Sequence, residues 1–342
     1  MSLLSVSREA MKSTFEVLFE RKKYPQGTEA VLNALDEVER LEKVLSVFRF
    51  DSKVQLINQT AFHEPVHVDE ELFHLIQICQ QFAEKTDGAV DITSGALWKQ
   101  WGFAHRKGSF PNCIPDSEQI EEALRRTGYR HLHLDEEART VQLLKKGIEL
   151  NFGCAGKGFA LDTAAKKLSA AGIENHIFSG GLSSILAAGK NEKGEIWKTG
   201  IAHPLKPGQR LAEIELNNEA VSTSSSAKQF FRYEGHRYSH IIDPRTGFPA
   251  EDVFSATVIA PTATEAELLS TAFFVLGFDE SERLMKRLAA DSRSAVTFSA
   301  LFVLPIKHGV KYEIKTLGER FIPISCAETE TTPQPSKKDK QR

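Results

Sequence analysis

The sequence predicts an α+β fold in which mixed, largely antiparallel sheets are flanked by helices. Two observations carry that reading. Helical-period segments and short β-branched or alternating runs follow one another irregularly, with hairpin-like strand pairs. A doubly wound sheet would instead alternate strand and helix strictly. Glycines and polar turns, not long helices, separate several of the strands.

The helices come first. Residues 28–48 carry Val31, Leu35, Val38, Leu41 and Leu45 on one stripe. Residues 70–83 repeat the period with Leu72, Leu75, Ile76, Cys79 and Phe82, and Gly88 lies beyond them. Pro115-Asp116-Ser117 supplies start signals for a helix over 116–126. A fourth helix is expected over 157–171, stopping near Gly172. "NHIFS", "SILAAG" and "LAEIEL" then read as short strands, and "VFSATVIA" as a longer one. Helices over 264–274 and 280–290, with strands in "AVTFSALFVL" and "VKYEIKT", close the fold.

At 342 residues, with 41% hydrophobic and 26% charged residues, the chain can bury a sizeable core. No repeat or linker divides it, so residues 1–326 are expected to form one domain. The tail over 327–342, "AETETTPQPSKKDKQR", is too polar to offset its ordering entropy and is expected to be disordered. The net charge of -3, without a basic stripe, argues against a nucleic-acid partner. No apolar run reaches the roughly eighteen residues of a membrane helix, so stable membrane insertion is not expected. The N-terminus lacks a signal-peptide pattern, which makes the cytoplasm the expected compartment. Four cysteines without a CxxC pair support neither a zinc site nor a disulfide framework.

Several short stretches could carry chemistry. In "SHIIDPRTGFP", Ile241 and Ile242 favour extended backbone, and Asp243-Pro244 and Thr246-Gly247 favour a turn. A strand end thus delivers His240 to the mouth of a loop, where it is either a general base or a satisfied structural histidine. "NFGCAGKGFALD" fits neither the P-loop nor the dinucleotide spacing, which leaves a helix-start anion site or a tight turn. "FSGGLSSI" reads as a hairpin turn. The hydroxyl run in "AVSTSSSAKQF" could donate to phosphate or ribose, or be a solvated loop. Glu267 and Thr271, four apart in "TEAELLSTAFFVLGF", share a helix face and could hold a hard cation or simply pack.

The order of these blocks resembles the ApbE family of flavin transferases over residues 11–277. The match runs through Met11-Lys12-Ser13-Thr14, "LSVFRFDSKVQLIN", "GAVDITSGALWKQWGF", "GKGFALD", "SGGLSSILAAG", "WKTGIAHP", "AVSTSS", "SHIIDPRTGFP" and "TEAELLSTAFFVLG". The resemblance implies FAD as substrate and Mg²⁺ as cofactor. It implies transfer of FMN to a threonine hydroxyl of an acceptor flavoprotein, with release of AMP. FAD pyrophosphatase activity, giving FMN and AMP, is the alternative, and non-catalytic FAD binding a further one. By resemblance, Met11, Phe48, Ala89, Val90, Asp91, Asn151, Lys157 and Ile241 fall in the FAD pocket. The Cys154 carbonyl, Glu267 and Thr271 fall at the metal, and His240 falls at the position of the base. The chain departs from the family pattern where Asn151 replaces a common acidic residue and Glu267 the usual Asp. Serines also occupy positions of a usual Gly and Asp in "TSSSA".

Overall fold

A computed structural model describes residues 3–104, 114–226, 229–290, 298–306 and 311–321. A hairpin that the periodicity does not announce opens the chain, β1 (Leu3–Ala10) and β2 (Ser13–Glu20). Met11 and Lys12 form its two-residue turn with φ of 51° and 57°. Such a turn favours Asn or Gly, so two ordinary side chains here are strained.

Helix α1 (Gly27–Leu45) buries Val31, Leu35, Val38, Leu41 and Leu45, the predicted stripe. The short α2 (Lys53–Thr60) and β3 (Val66–His67) follow. Asp69 caps α3 (Glu70–Lys85), accepting from the Leu72 amide at 2.9 Å. After α4 (Gly95–Gln100), Asp116 and Gln119 close a capping box at the start of α5 (Ser117–Arg125). Strands β4 (Leu132–Asp135) and β5 (Thr140–Leu143) pair with each other and with β3. Helix α6 (Gly156–Ala170) ends before Gly172, whose φ of +80° a β-carbon would resist.

The β-rich half comprises β6 (His176–Gly180), β7 (Ser184–Ala188), β8 (Trp197–Ala202), β9 (Arg210–Leu216), β10 (Glu219–Ser225), β11 (Phe230–Tyr233), β12 (His236–Ser239) and β13 (Ser255–Ala260). Helix α7 (Ala263–Ala290) joins the two helices expected over 264–274 and 280–290, with non-helical backbone at Gly277 (φ 71°, ψ -176°). Strands β14 (Ser299–Pro305) and β15 (Tyr312–Leu317) finish the sheet. The main sheet has eight strands in the order β1-β2-β6-β7-β10-β13-β14-β15, and every neighbouring pair is antiparallel. The expected α+β class therefore holds. The expected tail, Cys113 and Cys326 lie outside the described residues.

The sheet has two unlike faces. Phe15, Val17, Phe178, Val258 and Phe302 meet α1, α3, α6 and α7 in the main core. On the opposite face the β8–β9 hairpin covers Val221, Ile259 and Leu301 with Leu211, Ile214 and Trp197. A third cluster joins α4, α5 and the β11–β12 hairpin through Trp101, Ile120, Phe231 and Ile242. Of the candidate residues, Ala89, Val90 and Ile241 belong to the main core, and Met11 and Cys154 pack against it.

Candidate active site

The site begins with α7 lying across β7 and β10. The hydroxyl run read as either ligand or solvated loop is a central strand, β10. Its period of two sends Val221 into the opposite core, while Ser222 and Ser224 face α7. Ser222 lies 3.3 Å from Ser184 and 3.4 Å from Ser270. Ser224 lies 3.0 Å from Ser270 and 3.2 Å from Thr271. Of this network, Thr271 and the 222–225 hydroxyl run stood out in the sequence, while Ser184 and Ser270 did not. The alternation of Ser222 and Ser224 is visible only once β10 is known to be a strand.

Glu267 sits above that network and is 4% exposed. Its Oε1 pairs with the Lys157 ammonium and accepts from Ser184 Oγ at 3.1 Å. Its Oε2 accepts from the Gly158 amide at 2.7 Å. Thr271 Oγ1 donates to the Glu267 carbonyl at 3.0 Å. The start of α6 thus does bind an anion, and that anion is a side chain of α7. Gly158 is required for this approach, because a β-carbon there would stand 2.3 Å from the Ala263 carbonyl oxygen. Asp162, one turn on, accepts from the Ala263 and Thr264 amides at 2.8 and 2.9 Å and so caps α7 from a neighbouring helix. Sequence reading missed this cap, since the capping residue stands 101 positions before its helix.

The segments around 91 and 151 border this cluster. The Asn151 amide donates to the Ile92 carbonyl at 2.7 Å, and Gly95 donates to the Glu149 carbonyl at 3.0 Å. The Asn151 side chain accepts from the Gly153 amide at 2.9 Å, shaping the turn into α6. Ala89 and Val90 are buried. The Asp91 carboxylate is engaged at both oxygens: it accepts from the Thr93 amide (2.8 Å) and hydroxyl (2.7 Å) and from the Tyr129 amide (2.7 Å). Burial raises its pKa against those bonds. Burial pushes the Cys154 thiol up to about 12, with the Glu267 and Asp91 carboxylates adding to it. Cys154 is therefore no nucleophile.

His240 follows the end of β12. Its Nδ1 lies 2.9 Å from the Gln229 carbonyl, which can only accept. Nδ1 therefore carries the proton, and the neutral ring presents Nε2 as a lone pair. Burial drops the His240 pKa to about 4, and the nearby Lys157 ammonium lowers it further against the Gln229 bond. The imidazole is thus neutral at pH 7. The loop beneath it is held rigidly. The Asp243 carbonyl accepts from the Gly247 amide at 2.8 Å, Arg245 clamps Asp243 with two bonds, and Trp101 donates to the Gly247 carbonyl at 2.7 Å. Ile241 is buried at the base, its carbonyl accepting from the Ala250 amide at 2.9 Å.

Met11 packs against the main core, while Phe48 makes its contacts on the rim. Lys12 Nζ stands 3.7 Å over the Phe48 ring, and Phe48 meets Trp98 edge-on at 6.0 Å. Phe103, whose amide donates to the Trp98 carbonyl, meets the His240 ring at 6.4 Å. The rim thus offers aromatic faces beside the imidazole, of the kind that stack on planar rings. A cleft of about 610 Å³ lined by Lys198, Glu215, Glu219 and Arg320 holds none of the candidate residues.

Among the described residues no three His, Cys, Asp or Glu side chains converge as a metal cluster. A cation here would rest on one carboxylate with hydroxyl and carbonyl oxygens. Glu267, Ser184 and Thr271 are hard oxygen donors of that kind, so the residues fit a hard divalent ion in type.

The model of the ApbE family matches residues 11–295. This chain belongs to the ApbE family. It is 34% identical over 314 residues to the FAD:protein FMN transferase of Treponema pallidum (strain Nichols), covering 84% of this chain and 83% of that protein. It is 32% identical over 250 residues to the protein of the same name from Escherichia coli (strain K12), covering 72% and 70%. The crystal structure of the ApbE protein from Thermotoga maritima superposes with a TM-score of 0.78 at 32% identity, covering 88% of this chain and 94% of that one. The flavin transferase ApbE from Vibrio cholerae gives 0.79 at 25% identity, covering 92% and 96%. The α+β architecture is therefore the family's.

Proposed function

We propose that this ApbE-family chain is an FAD:protein FMN transferase that moves the FMN half of FAD onto a threonine hydroxyl of an acceptor flavoprotein. The observation that carries the reading is His240, held by the Gln229 carbonyl in the tautomer that leaves Nε2 free to take a proton. The acceptor oxygen attacks the FMN phosphorus as its proton passes to Nε2. An O–P bond forms, the diphosphate bridge breaks, and AMP departs with the bridging oxygen. Atoms and charge balance without an oxidant or a second nucleotide.

Glu267, Thr271 and the Cys154 carbonyl would hold Mg²⁺, which supplies charge neutralisation on the diphosphate oxygens when bound. The aromatic rim of Phe48 and Trp98 offers faces for the flavin, and Met11, packed on the main core, is assigned to the same pocket by the family resemblance. Ala89, Val90, Asn151 and Ile241 line the pocket through backbone and apolar surface. Asp91 contributes through the loop that its carboxylate ties, with both oxygens already accepting hydrogen bonds from Thr93 and Tyr129.

The test is incubation with FAD and Mg²⁺, with and without a threonine-bearing acceptor, read by mass spectrometry. The expected result is an acceptor heavier by one flavinyl phosphate and an equal amount of AMP. Free FMN and AMP formed equally well without acceptor would replace transfer with hydrolysis, and intact FAD would remove the catalytic reading.

A further inference from the structure

The ion pair between Lys157 and Glu267 has a consequence for how a cation could enter. Glu267 is buried, and burying a carboxylate is costly unless a counter-charge and hydrogen bonds compensate it. Ser184 and Gly158 donate to it, but Lys157 is its one ion-pair partner among the described residues. The two side chains differ in access: Lys157 is 24% exposed and Glu267 5%. The lysine therefore has a way out of the contact and the carboxylate has none. Thr271, a turn along α7, is spent on the Glu267 carbonyl and on Ser224, so it does not neutralise the carboxylate.

A divalent ion and an ammonium cannot both occupy the same carboxylate oxygen at bonding distance without strong repulsion. We propose that Lys157 is a resident counter-ion, which holds the Glu267 carboxylate in place until a divalent cation displaces it and sends the ammonium toward His240. This rests on the metal reading given under Proposed function. It adds that the carboxylate is already organised, with its counter-charge supplied from α6. The lysine thereby sets the metal affinity: it stabilises the metal-free protein and competes with the metal.

The test uses the full chain with magnesium alone. Amine labelling of the wild-type protein, read by mass spectrometry, should show Lys157 becoming several-fold more reactive in saturating Mg²⁺ than in chelator, with Lys286, 72% exposed far along α7, unchanged as reference. Calorimetric titration of Lys157→Met should show Mg²⁺ binding roughly tenfold tighter than in wild type. Its metal-free form should unfold at lower urea, and Lys157→Arg should recover that loss. Magnesium binding without a change in Lys157 labelling, and no tighter in Lys157→Met, would overturn the exchange while leaving the transferase reading intact. Absence of Mg²⁺ binding in every form would overturn both. If Lys157→Met does not fold, the labelling of wild type decides alone.

Discussion

His240 takes its chemistry from a carbonyl eleven residues earlier, at Gln229. Sequence spacing brought the imidazole to a strand end but left its tautomer open, because the deciding partner lies across a hairpin. Lys157 was legible as a helix-start cation, yet its partner on α7, 110 residues on, was not. Asp91 shows the converse. The family resemblance proposes it for the FAD pocket, but the fold uses both of its oxygens to fasten the 91–93 loop to Tyr129. Asp91→Ala would orphan the Thr93 and Tyr129 amides in a buried setting. The expected loss is about 2–4 kcal/mol of folding stability in urea denaturation, with no new ionisable group to blame. A loss below about 0.5 kcal/mol, the scale of an ordinary surface change, would show that water replaces the carboxylate freely.

At the scale of elements, the junction of α6 with α7 fixes the site. Gly158 allows the helices to touch, and Asp162 caps α7 with three bonds to Ala263 and Thr264. The helices themselves were legible because their apolar stripes follow a 3.6 period, as in α1 and α3. Strand β10 was not, because beyond Val221 and Thr223 it is a serine run that reads equally as a loop, and pairing with β7 and β13 fixes its place. The β1–β2 hairpin was missed for a related reason. β1 is an edge strand, and its alternation is half-exposed. Asp162→Ala should cost about 2 kcal/mol, the upper range for a lost helix cap. Hydrogen exchange should show the loss concentrated in the first turn of α7, and uniform exchange across α7 would count against a cap.

Across the whole molecule, protonation of buried histidines sets an acid limit on stability. His176 on β6 is fully buried, its Nδ1 is 3.1 Å from the Ile173 carbonyl, and its Nε2 has no partner among the described residues. Burial lowers its pKa from 6.5 to about 4, against the bond to Ile173. The unfolded chain therefore takes up this proton first as pH falls. The stabilising contribution is complete above pH 6.5 and is lost between 6.5 and about 4, amounting to roughly 3 kcal/mol. His176→Leu should flatten the pH dependence of urea stability across that window relative to wild type. Equal slopes would place the proton elsewhere. His240 titrates in the same window, so the comparison between the two proteins, not the wild-type slope alone, carries the result.

The same neutral His240 is the centre of the functional account, and one measurement tests it most directly. FAD, Mg²⁺ and a threonine-bearing acceptor are mixed with wild type or His240→Ala, and flavinylated acceptor and AMP are quantified while FAD affinity is measured in parallel. The account predicts unchanged FAD affinity and transfer slower by about two to four powers of ten in the variant, the usual scale of a general base. Equal transfer rates in the two proteins would contradict it.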